Sequence, residues 1–290
     1  MKTRLLAILE IALAYLALRI LGQAWRATGI PQAEIKTFGW GYTGSVLFVA
    51  VPAVIIWFTR RRWADYGVTL SNWQTNLDIG MQAYLVMFIP WIVGFGGLRL
   101  LRTDYSTLAG GMILSVTFVI AIAVMLRVLR KTDVRGKSGT PARTNLIVMG
   151  LLLLFPILVA LAMHRLSVVI VSTVVWQFVC SGFGEEFVWR GYVQSRLNQA
   201  FGRPWTLCGV QCGPGLIIAS LLFGLFHAFN TYDPASGQYE LAWGWALWTT
   251  FSGLFFGAIR EKTGSLLACG IAHGLPDAVG EALGRVLGWM

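Results

Sequence analysis

The apolar residues of this chain come in long uninterrupted runs, separated by short stretches that hold charge, glycine or proline. Runs of about 18 or more such residues are long enough, as helix, to cross the hydrocarbon of a bilayer. They occupy about 5–21, 40–58, 79–98, 106–126, 145–163, 167–189, 207–229, 241–259 and 265–289. The pattern predicts an all-α fold, a polytopic transmembrane helical bundle of about eight or nine spans. The first run, after Lys2 and Arg4, has no small-residue cleavage site in a clear place and is read as a span. The last run differs from the others. It is rich in glycine and contains His273, Pro276, Asp277, Glu281 and Arg285, so it is expected to be broken or partly re-entrant. Irregular backbone persists at that depth only where protein or water covers it.

Composition supports the bilayer as solvent. Of 290 residues 56% are hydrophobic and only 12% are charged, about half the charged fraction of an average soluble domain. No polar block is long enough to build a water-soluble second domain. One long polar linker, 127–143, carries Gly136, Ser138, Gly139 and Pro141 and is expected to be flexible. It divides the chain into N-terminal helices without an assigned role (1–144) and a C-terminal half that carries the chemistry (145–290).

The net charge of +10 invites a nucleic-acid reading. However, most basic residues lie in short loops between spans, where the positive-inside rule places them, and no basic face outside the membrane plane is visible. No nucleic-acid partner is expected; the partner is the lipid bilayer. With the N-terminus in the cytoplasm, the inner side holds Lys2, Arg4, the Arg60–Arg62 triplet, the basic cluster of 127–143 (including Lys137), Arg190, Arg196, Arg203, Arg260 and Lys262. The outer side keeps Arg19, Arg26, Lys36, Arg99, Arg102, Arg165 and Arg285. This bias predicts a multi-pass inner-membrane protein with a cytoplasmic N-terminus. It also places Glu185 and Glu186 near the cytoplasmic end of their span, in a site opening to that side. Cys180, Cys208, Cys212 and Cys269 lie in or beside apolar runs without zinc-ribbon spacing and are read as small packing residues. The tryptophans near span ends, such as Trp40, Trp57, Trp63 and Trp243, are read as interfacial anchors.

Against this background a few polar residues stand out. The sixth run ends in Gly-Glu185-Glu186-Phe-Val-Trp-Arg190. A charge there is costly unless paired or wetted. Glu186 and Arg190 are four apart and can pair along a helix; Glu185, about 100° away, is free to face a cavity. His227 and His273 lie within two further runs, whereas His164 stands beside Arg165 at a span end and is read as an interface residue. A glutamate in a partly dry pocket can deprotonate water, a histidine beside it can fix that water, and a second histidine can donate to an oxyanion. These groups suffice for peptide hydrolysis without a covalent intermediate. Serine chemistry is disfavoured, because no G-x-S-x-G occurs. Glu/His/His is also a zinc ligand set, but H-E-x-x-H is absent, so the expected cofactor is none, with zinc as the alternative.

The motifs E-E-x-x-x-R at 185–190, F-x-x-x-H at 223–227 and H-x-x-x-D at 273–277 resemble, in order, those of the CPBP family. This is the CAAX-protease and bacteriocin-processing group of intramembrane glutamic proteases, similar to the Rce1 prenyl-protein endopeptidases. The resemblance covers roughly 165–285. It implies that Glu185 activates water, that His227 holds the same water, that His273 is an oxyanion donor, and that Glu186 and Arg190 support them. At the fourth motif position the family usually has asparagine; here it is Asp277, which is either protonated in an apolar site or orients His273. The resemblance further implies a membrane-bound peptide or protein tail as substrate, cut near its C-terminus or close to the membrane, and a prokaryotic setting. Two other classes compete. A proton-coupled transporter would use the same residues as a relay, but the paired broken helices of such folds are not found. A non-catalytic immunity or scaffold protein would be expected to lose motif residues, and only position 277 departs.

Overall fold

A computed structural model describes residues 2–136, 138–232 and 237–289; Met1, Met290 and the predicted loop cation Lys137 lie outside the described residues. The chain forms α1 (Lys2–Arg26), α2 (Ile30–Phe38), α3 (Tyr42–Phe58), α4 (Trp73–Leu101), α5 (Leu108–Lys131), α6 (Ala142–Ala162), α7 (Val168–Phe201), α8 (Pro214–Thr231), α9 (Trp243–Thr263) and α10 (Leu266–Leu287). Every predicted run overlaps one of these helices. Six of them, α1 and α4 to α8, are long and apolar enough to cross a membrane. The helix α3 is apolar but shorter, and α9 and α10 have the length but dilute their apolar residues with glycine and charge.

Local signals account for several boundaries. The hydroxyls of Thr107, Ser167 and Ser265 accept from backbone N–H groups at the starts of α5, α7 and α10, satisfying donors that a helix leaves orphaned. Gly264 and Gly288, both with positive φ, end α9 and α10. Glycine also sets the spacing between helices. A Cβ on Gly182 of α7 would stand 2.5 Å from Gly274 Cα of α10, and one on Gly111 of α5 would stand 2.4 Å from Gly244 O of α9. Lipid offers no hydrophobic drive between helices, so close backbone approach at small residues carries much of their association. The largest buried side chains include Trp189, Tyr192, Phe223, Phe255 and Phe256; Trp189 of α7 packs on Phe223 of α8, and Tyr192 stacks on Tyr66. Outward positions such as Phe58 and Leu100 remain open to lipid.

Four expectations change. First, α7 does not stop near 189 but runs on to Phe201, which puts Glu185 at mid-helix and leaves Arg190 only 1% exposed. The basic residue read as an interface charge is interior because Glu186 neutralises it. Second, the run at 207–229 is not all helix. β1 (Trp205–Leu207) and β2 (Val210–Cys212) form an antiparallel hairpin, turning at Cys208 and Gly209, which both have positive φ, as a two-residue turn of this hand requires. The helix starts only at Pro214, whose fixed φ and missing N–H suit a first turn. Cys208 is therefore exposed rather than packed. Third, α10 is unbroken through Pro276; irregular winding lies instead in α4, at Ile89–Phe95, and in α7, where wide π-helical stretches at Trp176–Glu185 and Phe187–Gln194 meet at Glu186. Fourth, the linker expected to be flexible is pinned. The buried Asp78 accepts from the backbone N–H of Gly139 at 3.1 Å and from the Asn145 amide at 3.1 Å.

Candidate active site

The constellation begins with the two adjacent glutamates of α7. Glu186 is fully buried: Arg190 Nη1 stands 3.0 Å from its Oε1 as an ion pair, and His273 Nδ1 lies within hydrogen-bond distance of the same oxygen at 2.9 Å. A buried carboxylate of this kind is tolerable only when paired and hydrogen-bonded. Glu185, its neighbour, turns the other way. Its Oε2 has no hydrogen-bond partner among the described residues and lies 3.9 Å from His227 Nε2. That gap is too long for a direct hydrogen bond.

His227 sits near the C-terminal end of α8, and its Nδ1 lies 2.8 Å from the Phe223 carbonyl one turn earlier. A carbonyl only accepts, so Nδ1 carries the proton and the neutral ring presents a lone pair at Nε2 towards Glu185. Two acceptors thus face one another across a space of one small donor. His273, on α10, stacks on Phe256 of α9 with ring centres 4.6 Å apart and planes 13° from parallel. Its Nε2 is 3.5 Å from Asp277 Oδ2, one turn further along α10. The Arg190 guanidinium lies 4.3 Å from the Phe223 ring centre, and the His227 ring lies 4.5 Å from it, centre to centre. The motif phenylalanine therefore supplies a carbonyl and a platform. Phe256 has no such signal in sequence, because an aromatic in an aromatic-rich span is indistinguishable from packing until its neighbour is known.

The structure thus brings Glu185, Glu186, Arg190, His227, His273 and Asp277 together from three helices. His164 is exposed after α6 and belongs to no part of this cluster. A catalytic zinc takes three protein ligands, and among the described residues no group of three or more His, Cys, Asp or Glu is placed to hold a metal ion.

A cavity of about 340 Å³ has Glu185 and His227 in its wall. Its other lining residues include Arg19, Gln23 and Arg26 of α1, Pro31 and Ile35 of α2, Ser45 and Phe48 of α3, and Trp176 of α7. The cavity therefore runs towards the end of the bundle where α1 passes into α2. That is the end opposite Lys2 and the Arg60–Arg62 triplet. The cavity is thus lined at the end away from the basic loops, not at the basic end where the sequence predicts the opening. A separate hollow of about 440 Å³ at the basic end, bounded by Trp57, Phe58, Arg60, Arg61 and Trp63, holds none of the six side chains.

Residues 166–279 match the family model described as Type II CAAX prenyl endopeptidase Rce1-like. The matched segment encloses all six residues of the cluster. No curated protein and no solved structure matches the chain.

Proposed function

Through residues 166–279 the chain belongs to the Rce1-like CPBP family, a family of membrane proteases, and from that membership we propose that it hydrolyses a peptide bond of a membrane-associated protein or peptide with water activated by Glu185. The observation that carries the mechanism is the pair of acceptors, Glu185 Oε2 and His227 Nε2, facing each other at 3.9 Å. A water between them donates one hydrogen to each, which turns an oxygen lone pair towards the cavity. Glu185 takes the proton as that oxygen attacks the scissile carbonyl, and returns it to the departing amine. One water is consumed, and one carboxyl and one amine are released.

The developing oxyanion falls to His273. In its imidazolium form Nδ1–H donates to Glu186 while Nε2–H is available beside Asp277, the two carboxylates being the counter-charges for that form. On this reading Asp277 orients His273, which is the role its position beside Nε2 supports. Arg190 pairs with Glu186 and holds it in place. The donor set supports a reaction that needs no metal, so a strong chelator should leave the purified enzyme active.

The spans of 1–144 wall the substrate entry, since α1, α2 and α3 line the cavity, and 145–290 carry the hydrolytic groups. If the basic loops face the cytoplasm, the cavity opens on the outer side of the inner membrane. The substrate is then a peptide segment reaching the site from that side, at its membrane-proximal part or near its C-terminus. The test is Glu185→Gln in purified protein, offered membrane peptides and followed by mass spectrometry. Cleavage should disappear; cleavage at the wild-type rate would end the glutamate mechanism.

A further inference from the structure

Arg19 lies within α1, half-buried in a helix that crosses the bilayer. Its guanidinium carbon stands 4.6 Å from the Phe229 ring centre and 5.6 Å from that of Phe226. Several other cations have carboxylate partners, Arg190 with Glu186, Arg61 and Arg196 with Glu10, and Arg203 with Glu261, whereas the buried Arg260 lies against the Ser195 hydroxyl and, unlike Arg19, lines no part of the cavity. Among the described residues no carboxylate lies within ion-pair distance of Arg19. A charge at such depth is costly unless something compensates it, and stacking on two rings does so only in part.

Arg19 is also part of the site wall. It lines the same cavity as Glu185 and His227, and Phe226, on which it stacks, immediately precedes His227. Gln23 and Arg26, four and seven residues further along α1, line the cavity too, so one face of this helix carries a polar track from the mouth to the reacting groups. Polypeptide is mostly neutral amide; its anions are carboxylates. A guanidinium held by its face on aromatic rings keeps its N–H edge free, and that edge matches a carboxylate with two parallel hydrogen bonds.

We propose that Arg19 binds a carboxylate of the peptide substrate, with Arg26 drawing it in at the mouth, and so selects peptides bearing that charge next to the cleaved bond. The proposal rests on the hydrolytic reading for its purpose but not for its test. It gives α1, which lies outside the matched residues 166–279, a specificity role.

Binding to the Glu185→Gln protein in zwitterionic nanodiscs separates the two questions, since no turnover is needed. The probes are three pools of acetylated hexapeptides of randomised apolar residues: one ending in a free carboxylate, one in a carboxamide, and one in a carboxamide with a single internal glutamate. With Arg19 present, an acidic pool should bind at least about ten-fold tighter than the neutral amide pool, as expected for a charge-assisted bidentate pair. Which acidic pool wins tells a terminal carboxylate from a side-chain one. Arg19→Gln should erase the preference, and Arg19→Lys, which keeps the charge without the fork, should retain part of it. Equal retention of all pools with Arg19 present overturns the proposal, as does a preference that survives Arg19→Gln. So does a loss in Arg19→Gln confined to binding of anionic lipid vesicles, which would assign the cation to headgroups. Absence of hydrolysis by the Glu185 protein would instead count against the proposed reaction and leave these binding outcomes unchanged.

Discussion

At the scale of the residue, the two imidazoles make different demands on their neighbours. His227 needs a free Nε2 lone pair, which the Phe223 carbonyl secures by occupying Nδ1–H. With Nδ1–H held by Glu186, His273 can donate from Nε2 only as the imidazolium, for which Glu186 and Asp277 are the counter-charges. Single substitutions should separate these roles. His273→Ala removes an oxyanion donor and is expected to lower kcat by about 10²–10³-fold. His227→Ala leaves Glu185 to hold water alone and is expected to cost about 10²–10⁴-fold. Both are to be read from initial rates on one membrane peptide. His164→Ala, on an exposed turn away from the cluster, should stay within about twofold of wild type, as surface changes away from special features usually do. Asp277→Asn keeps an oxygen acceptor one turn from His273 and should retain more activity than Asp277→Ala; the reverse order would remove Asp277 from its orienting role. The six motif residues were visible in sequence because an ionisable side chain inside an apolar run is conspicuous. Phe256, which stacks on His273, was not, because an apolar side chain in an apolar run carries no such contrast.

At the scale of the element, the site depends on how closely α7 and α10 approach. Gly182 and Gly274 bring their backbones together, and the contact sets the distance at which His273 meets Glu186. A Cβ on Gly182 would fall 2.5 Å from Gly274 Cα, so backbone rather than a flexible side-chain tip must yield. Gly182→Ala should destabilise by about 1–3 kcal/mol, the usual cost of overpacking, and should depress activity further than the stability loss explains. Thermal unfolding in detergent and initial rates at a temperature well below the transition would show both effects. The π-helical winding around Glu186 is the other contribution of an element to the site. Hydropathy located α7 but missed its extension through Arg190 to Phe201, because a run-length criterion stops at the first charge whereas the bundle neutralises it. For α10 the error was the opposite. Pro276 and the glycines suggested a break, but neighbouring helices cover the backbone and the helix continues.

At the scale of the whole molecule, a carboxylate of α1 helps tie that helix to the segment 166–279. Glu10 accepts from Arg61 at 2.5 Å, from Arg196 at 2.9 Å and from the Tyr192 hydroxyl at 2.9 Å. This links α1 to the end of α3 and to the last turns of α7. The groups are partly exposed, so the full penalty for breaking a buried pair does not apply. Glu10→Gln should still lower stability by about 1–3 kcal/mol, the usual cost of orphaning a charged partner. Because α1 also walls the cavity, its loosening should raise KM more than it lowers kcat.

The chain's membrane character, its succession of helices and its three reactive stretches followed from sequence alone, because run length, charge density and short spacings are properties of neighbouring residues. Only the tertiary structure decided that His273 lies between two carboxylates, that the cavity opens away from the basic end, and that a cation of the first helix stands in its wall. Those facts depend on which helices touch, and contacts between residues far apart in the chain leave no mark on local composition.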